Sequence, residues 1–181
     1  MAFLQIDYKS EALMRGVNIK VMLPSDGMAG KWEPPYKTLY LLPGYSATAT
    51  ELITYLGLRG QSELKGIAIV LPDGENLFYQ DMPDRMTFYS TYVGKELVEV
   101  TRKMLPLSTK REDTFIGGIS MGGYGALYNG FKYRDTFSKV VAFSPAADAC
   151  MLLAGSEVPG FSRAQFEGIF GNREAYYGSE C

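Results

Sequence analysis

Histidine is absent from all 181 residues of this chain. That absence excludes a Ser-His-Asp triad assembled from this chain alone, and it removes the commonest metal ligand. Cysteine is scarce: Cys150 and Cys181 make no disulfide framework and read as free thiols of a reducing compartment. A zinc site is therefore not expected, and nothing in the sequence asks for a cofactor. No apolar run is long enough to span a bilayer. The N-terminus, MAFLQIDYKSEALMRG, lacks the apolar core behind a basic start that marks a signal peptide. Neither sign of charge dominates, with 18 basic and 20 acidic residues well mixed. Nucleic acid and membrane are thus not expected partners, and the cytoplasm is the expected location. Length and an ordinary composition, 46% hydrophobic and 21% charged, predict one soluble domain over residues 1–181.

What the chain does have is glycine in one telling place. From Asp113 to Asn129 it reads DTFIGGISMGGYGALYN. An apolar run leads into Gly117-Gly118-Ile119-Ser120-Met121-Gly122-Gly123, and a helix-compatible run follows. Strand, Gly-flanked turn with a central serine, then helix is the context of the G-x-S-x-G nucleophile elbow. Such a turn strains the serine backbone and brings strand and helix so close that the residues two before and two after must be small. Gly118 and Gly122 meet that need. The turn also sets Ser120 on a helix N-terminus, where N–H groups and the dipole favour developing negative charge. A phosphate-cradling loop fits less well: no lysine follows the glycines, and G-x-G-x-x-G spacing is absent.

Alternation of apolar and polar residues predicts two strands, 2–14 and 16–23, paired antiparallel through a turn near Arg15-Gly16. Residues 24–35 read as a loop. Lys37 to Leu42 is a buried strand ending at Pro43-Gly44-Tyr45. Helical spacing follows from Thr50 to Leu64, with Leu52, Tyr55, Leu56 and Leu58 expected inward, then a strand Ile67 to Leu71 stopped by Pro72-Asp73-Gly74. After an aromatic-rich loop comes a helix, Tyr92 to Leu105, with Val93, Leu97, Val100 and Leu105 on its inner side. The elbow follows, then the strand Lys139 to Phe143 and a weakly patterned tail with a short helix at Gln165 to Phe170. This order predicts an α/β fold with a mostly parallel sheet and an N-terminal antiparallel hairpin at its edge. Three strand ends then converge where such folds bind ligands: Pro43-Gly44-Tyr45, Pro72-Asp73-Gly74 and Gly118-Ile119-Ser120.

Four stretches stand out between Phe3 and Ala147: the run YLLPGYSATATEL, the run VLPDGENLFYQDMPDRMTFYSTYVGKEL, the elbow GGISMGGYGAL and the segment FSKVVAFSPA. Together they resemble the esterase D-like family of α/β-hydrolases, which includes tributyrin-type, feruloyl and acetyl esterases and S-formylglutathione hydrolases. The resemblance implies a three-layer α/β-hydrolase sandwich and a hydrolase of small acyl esters acting through an acyl-enzyme. It implies Ser120 as nucleophile, with the backbone N–H groups of Met121 and Tyr45 as oxyanion hole. Many relatives carry His-Gly where this chain has Pro43-Gly44. The substrate implied is a small-molecule ester. Tyr45, Tyr79 and Tyr124 are candidates to line its pocket, with plain packing as the competing role for them and for Phe78.

The family places its acid and histidine on strand ends beyond Lys139–Phe143. Two further βα units amount to about 60–80 residues. The expectation is therefore an N-terminal part of a longer hydrolase whose C-terminal strands are missing here. The strand Lys139–Phe143 would then offer an unpaired apolar edge, for self-association or for pairing with the missing segment. The alternative is a non-catalytic relative retained for binding or assembly. Local substitutes for the missing base are weak: Asp148 has no histidine to orient, Ser62-Glu63-Leu64-Lys65 lacks the companions of a Ser-x-x-Lys site, and Asp81 and Asp84 read as turn residues. Asp73 is either a turn residue or an acceptor that holds the active-site loop through backbone N–H groups.

Overall fold

The structure is a computed structural model and describes residues 1–26, 32–148 and 162–171. The two cysteines lie outside the described residues. Contacts divide the chain into a compact unit, Met1–Pro145, and a second unit, Ala146–Cys181. In the second, one helix is described, α6 (Arg163–Phe170). It begins two residues before the expected start because Ser162 and Gln165 form a capping box.

The first unit is built on a six-stranded sheet. Its strands are β1 (Ala2–Ser10), β2 (Arg15–Leu23), β3 (Lys37–Leu42), β4 (Ile67–Pro72), β7 (Thr114–Ile119) and β8 (Lys139–Phe143), in the order β1-β2-β4-β3-β7-β8. β1 and β2 pair antiparallel, β2 meets β4 antiparallel, and β4, β3, β7 and β8 run parallel. A two-stranded ribbon, β5 (Asp81–Met82) with β6 (Thr87–Phe88), interrupts the stretch expected to be loop. The hairpin turn falls earlier than expected. β1 stops at Ser10 because the Glu96 carboxylate accepts from Ser10 Oγ at 3.0 Å and from the amides of Glu11 and Ala12 at 3.0 and 2.8 Å. Those bonds take the ladder's place, and Glu11–Met14 make the turn.

Strand alternation sorts side chains to two faces. On one, Met22, Leu41, Ile69 and Leu71 pack with α1 (Ala49–Tyr55) and α2 (Leu58–Lys65). The single expected helix is split there by Gly57 at φ 58°. The break rotates the helical phase, so Tyr55 and Leu56 are 79% and 44% exposed while Leu52 and Leu58 are buried. On the other face lie α5 (Met121–Lys132) and a helix running from α3 (Tyr89–Thr91) through one π turn (Tyr92–Glu96) into α4 (Leu97–Met104). It starts three residues before the sequence expectation. The π turn shifts its inner face onto Val93, Leu97, Val98 and Thr101, instead of Val100 and Leu105. Gly94 occupies that turn because a Cβ there would lie 2.1 Å from the Tyr133 ring.

Among the described residues β8 is bonded on one side only, and its apolar residues are open: Val141 is 43% and Phe143 57% exposed. With Leu39, Leu41, Ile67, Ile69 and Ile119, Phe143 borders an apolar groove of about 460 Å³ on the α1/α2 face of the sheet. Exposed apolar surface of this kind marks a site of interaction or further packing.

Tyrosines fill the opposite face. Tyr40, Tyr79, Tyr89 and Tyr92 are buried, with Tyr79–Tyr89 and Tyr89–Tyr92 in edge-to-face contact at 6.2 and 6.0 Å. The Thr101 hydroxyl donates to the Leu97 carbonyl at 2.7 Å, so the Tyr40 hydroxyl donates to Thr101 at 2.8 Å. Burial pushes the phenols of Tyr8 and Tyr40 up to about 12, and raises those of Tyr79, Tyr89 and Tyr92 as well. In the unfolded chain these phenols titrate near 10. Above that pH the unfolded state holds fewer protons than the folded one, and stability falls as pH rises toward 12. Urea midpoints should be level up to about pH 9 and drop between about pH 10 and 12, with a shallower drop in Tyr40→Phe.

Candidate active site

Sequence and backbone agree at the end of β7. Ser120 lies between β7 and α5 with φ 54° and ψ −117°, a conformation side chains rarely adopt, and it is solvent-exposed. The two flanking glycines are required by contact. A Cβ on Gly118 would sit 2.0 Å from the carbonyl oxygen of Gly122, and a Cβ on Gly122 would sit 2.0 Å from that of Leu42. The elbow is thus wedged against the end of β3. Its other side is tied to β8, where the Ser120 amide donates to the Phe143 carbonyl at 2.9 Å.

That wedge fixes which loop stands next to Ser120. A Cβ on Gly44 would lie 3.5 Å from the Ser120 Cβ, so Pro43-Gly44-Tyr45 passes directly beside the serine. Met121 opens α5, and the first N–H groups of a helix have no acceptor within the helix. The structure therefore sets Ser120 and Met121 beside the loop that carries Tyr45, at the carboxyl edge of the sheet. Tyr45 is half-buried. Tyr124, one turn along α5, is 9% exposed, and its hydroxyl accepts from Gln80 Nε2 at 2.6 Å. Phe78 packs edge-on against Tyr124 at 5.6 Å. Tyr79 differs from its expected place on a substrate wall. Its ring has no exposed surface, and its hydroxyl donates to the Pro43 carbonyl at 2.8 Å. A fully enclosed ring offers no face to a ligand.

The loop after β4 carries unusual backbone strain. Glu75, Asn76, Phe78 and Tyr79 all have positive φ, between 48° and 57°. Non-glycine residues held this way cost on the order of 1–3 kcal/mol each, and such strain clusters at functional sites. Asp73 takes the second of its two expected roles: its carboxylate accepts from the Ala49 amide at 2.8 Å. Asn76, which sequence reasoning passes over, accepts from the Ser46 amide at 2.6 Å. Only the density of Gly, Asn and Asp in PDGEN hints at it. The other candidates stand apart. Ser62 is buried and donates to the Ile67 carbonyl at 2.8 Å, while Asp81 binds Lys132 at 3.0 Å and Thr91. Asp148 is exposed and Asp84 lies in a surface turn. Among the described residues no group of three or more His, Cys, Asp or Glu is placed to hold a metal ion. No described helix is long and apolar enough to cross a membrane.

A strained serine between a parallel strand and a helix, on a sheet of this order, defines an α/β-hydrolase-type site. The sequence profile of the Esterase family matches residues 10–176, and the chain belongs to that family. It is 40% identical over 151 residues to an acetyl esterase of Caldicellulosiruptor saccharolyticus, covering 81% of this chain and 57% of that protein. Among solved structures it resembles FphF, a fluorophosphonate-binding serine hydrolase of Staphylococcus aureus. There the TM-score is 0.80 at 30% identity, over 94% of this chain and 66% of that one. The S-formylglutathione hydrolase FrmB of the same organism gives a TM-score of 0.78 at 29% identity, with the same coverage. The chain thus spans little more than half the length of the curated acetyl esterase it matches.

The wedge makes opposite demands at neighbouring positions. Gly122→Ala drives a Cβ into a backbone oxygen and should lower unfolding free energy by at least the ~1–3 kcal/mol typical of overpacking. Ser120→Gly relieves a positive φ and should raise it by about 1 kcal/mol. Urea unfolding of the two variants beside the parent chain measures both.

Proposed function

We propose that this chain carries the nucleophile and oxyanion half of a serine esterase that hydrolyses small acyl esters through an acyl-enzyme. The observation that carries the reading is the exposed Ser120, held at φ 54° in a turn whose glycines touch backbone on two sides. Strain of that kind has no structural return and suits a nucleophile presented to solvent. The acetyl esterase relative supports a short acyl group.

The chemistry follows from the positions. Ser120 Oγ attacks the ester carbonyl carbon while a base takes its proton. The C=O electrons move to oxygen, and the Met121 and Tyr45 N–H groups stabilise that oxyanion. The carbon–alkoxy bond then breaks, the base returns its proton to the leaving alcohol, and water repeats the sequence on the acyl-enzyme. No histidine of this chain supplies the base. In this reading it comes from a further segment of a longer protein, which pairs with β8 and covers the apolar groove beside it. Because the Ser120 amide is tied to Phe143, a strand added to β8 would end next to the nucleophile. The scarcity of cysteine supports a reducing, cytoplasmic location. The missing histidine favours a second reading, a non-catalytic relative.

Two measurements separate these readings. The protein translated from the full reading frame should hydrolyse p-nitrophenyl acetate, and Ser120→Ala should abolish it. The 181-residue chain should retain at most the roughly 10³–10⁴-fold over water left to a triad stripped of members. A full-length protein inert to that ester and to fluorophosphonate would support the non-catalytic reading instead. Exchange of the β8 amides that face away from β7 should be fast in the 181-residue chain and slow in the full-length protein. A dimer in sedimentation with those amides already protected would assign the edge to a second copy.

A further inference from the structure

Resting on the esterase reading above, we propose that the loop Asp73–Gln80 is the positioning device for the oxyanion loop, with Tyr79 as its principal positioning residue. The loop Pro43–Ala49 leaves β3, passes Ser120 and enters α1. Within it the Ala47 amide donates to the Gly44 carbonyl at 3.2 Å. Its shape comes from across the sheet edge. Asp73 holds its far end through the Ala49 amide, Asn76 its middle through the Ser46 amide, and Tyr79 its start through the Pro43 carbonyl.

The Tyr79 bond is the closest of the three to the chemistry. The Pro43 carbonyl belongs to the peptide that leads into Gly44, and the next peptide carries the Tyr45 N–H. With the first plane held, only φ and ψ of Gly44 remain to set the direction of the Tyr45 N–H. The phenol reaches that carbonyl through a slot cut for it. A Cβ on Gly74 would lie 2.2 Å from the Tyr79 hydroxyl, and one on Gly125 of α5 would lie 2.3 Å from its ring. The Asn129 side-chain amide donates to the Tyr79 carbonyl at 3.2 Å and fixes the backbone beneath the ring. The phenol keeps its proton as donor throughout the working range, because burial raises its pKa well above the ordinary value. Tyr79 touches no substrate in this account. It acts through Pro43 and Gly44 on the donor that meets the developing oxyanion.

Two arms test this, one with no dependence on catalysis. In the 181-residue chain, Asp73→Ala should make the Ala49 amide exchange about fivefold faster, and Asn76→Ala should do the same for Ser46. Asp73→Asn keeps an acceptor and should preserve protection. Exchange unchanged in both alanine variants would overturn the cradle. In the full-length protein, Tyr79→Phe should lower kcat on the order of 10- to 100-fold per fluorophosphonate-titrated Ser120, with KM within about twofold. A merely structural Tyr79 would lower the titratable fraction and leave kcat per site unchanged, which would overturn the positioning role. If the parent protein hydrolyses no ester, the esterase reading fails, and the exchange arm still decides whether the cradle exists.

Discussion

The contact of Gly122 with the carbonyls of Leu42 and Pro43 is the constraint on which the site depends. It forces α5 against the end of β3, and so places the loop after β3 beside the serine that caps α5. A methyl group at Gly122 would separate Ser120 from its neighbouring loop. The parallel pairing of β3 with β7, Leu42 opposite Gly118, aligns the two strand ends that must meet. The core beneath serves this alignment: Tyr40 and Leu42 are buried on the face that α5 covers, and Leu41 on the face of α1 and α2.

Strain and support are divided between neighbouring loops. The elbow stores strain at Ser120, and the loop after β4 stores it at four further residues. Neither would persist without surroundings that over-determine it. For the elbow these are the two close glycine contacts and the Ser120–Phe143 bond. For the second loop they are Asp73, Asn76 and the slotted Tyr79. The hairpin side contributes a separate anchor, Arg15, which pairs with Glu75 and donates to the Tyr89 hydroxyl at 2.8 Å.

Much of this is legible in the sequence, and what is not has physical causes. The sheet strands are readable because buried parallel strands are short apolar runs between turn residues, as in Lys37–Leu42 and Ile67–Pro72. The elbow is readable because its close approach admits only glycine. Helix phase is less readable. Gly57 and the π turn at Tyr92–Glu96 each rotate the inner face, and a fixed 3.6-residue period carries no sign of either. The end of β1 depends on Glu96, some 85 residues away in sequence. The place of Tyr79 depends on Gly74 and Gly125 together, so its aromatic character suggests a substrate wall while the fold makes it a brace. Asn76 has no local signature beyond a turn-rich stretch.

In the proposed reading, Ser120 is a nucleophile held ready for acylation by a base from outside this chain. Peptide mapping of a fluorophosphonate adduct by mass spectrometry tests it most directly, in the protein translated from the full reading frame. The expected result is a single adduct on Ser120, with none on Ser144 or any other serine. An adduct on another residue, or no adduct on a folded full-length protein, would contradict it.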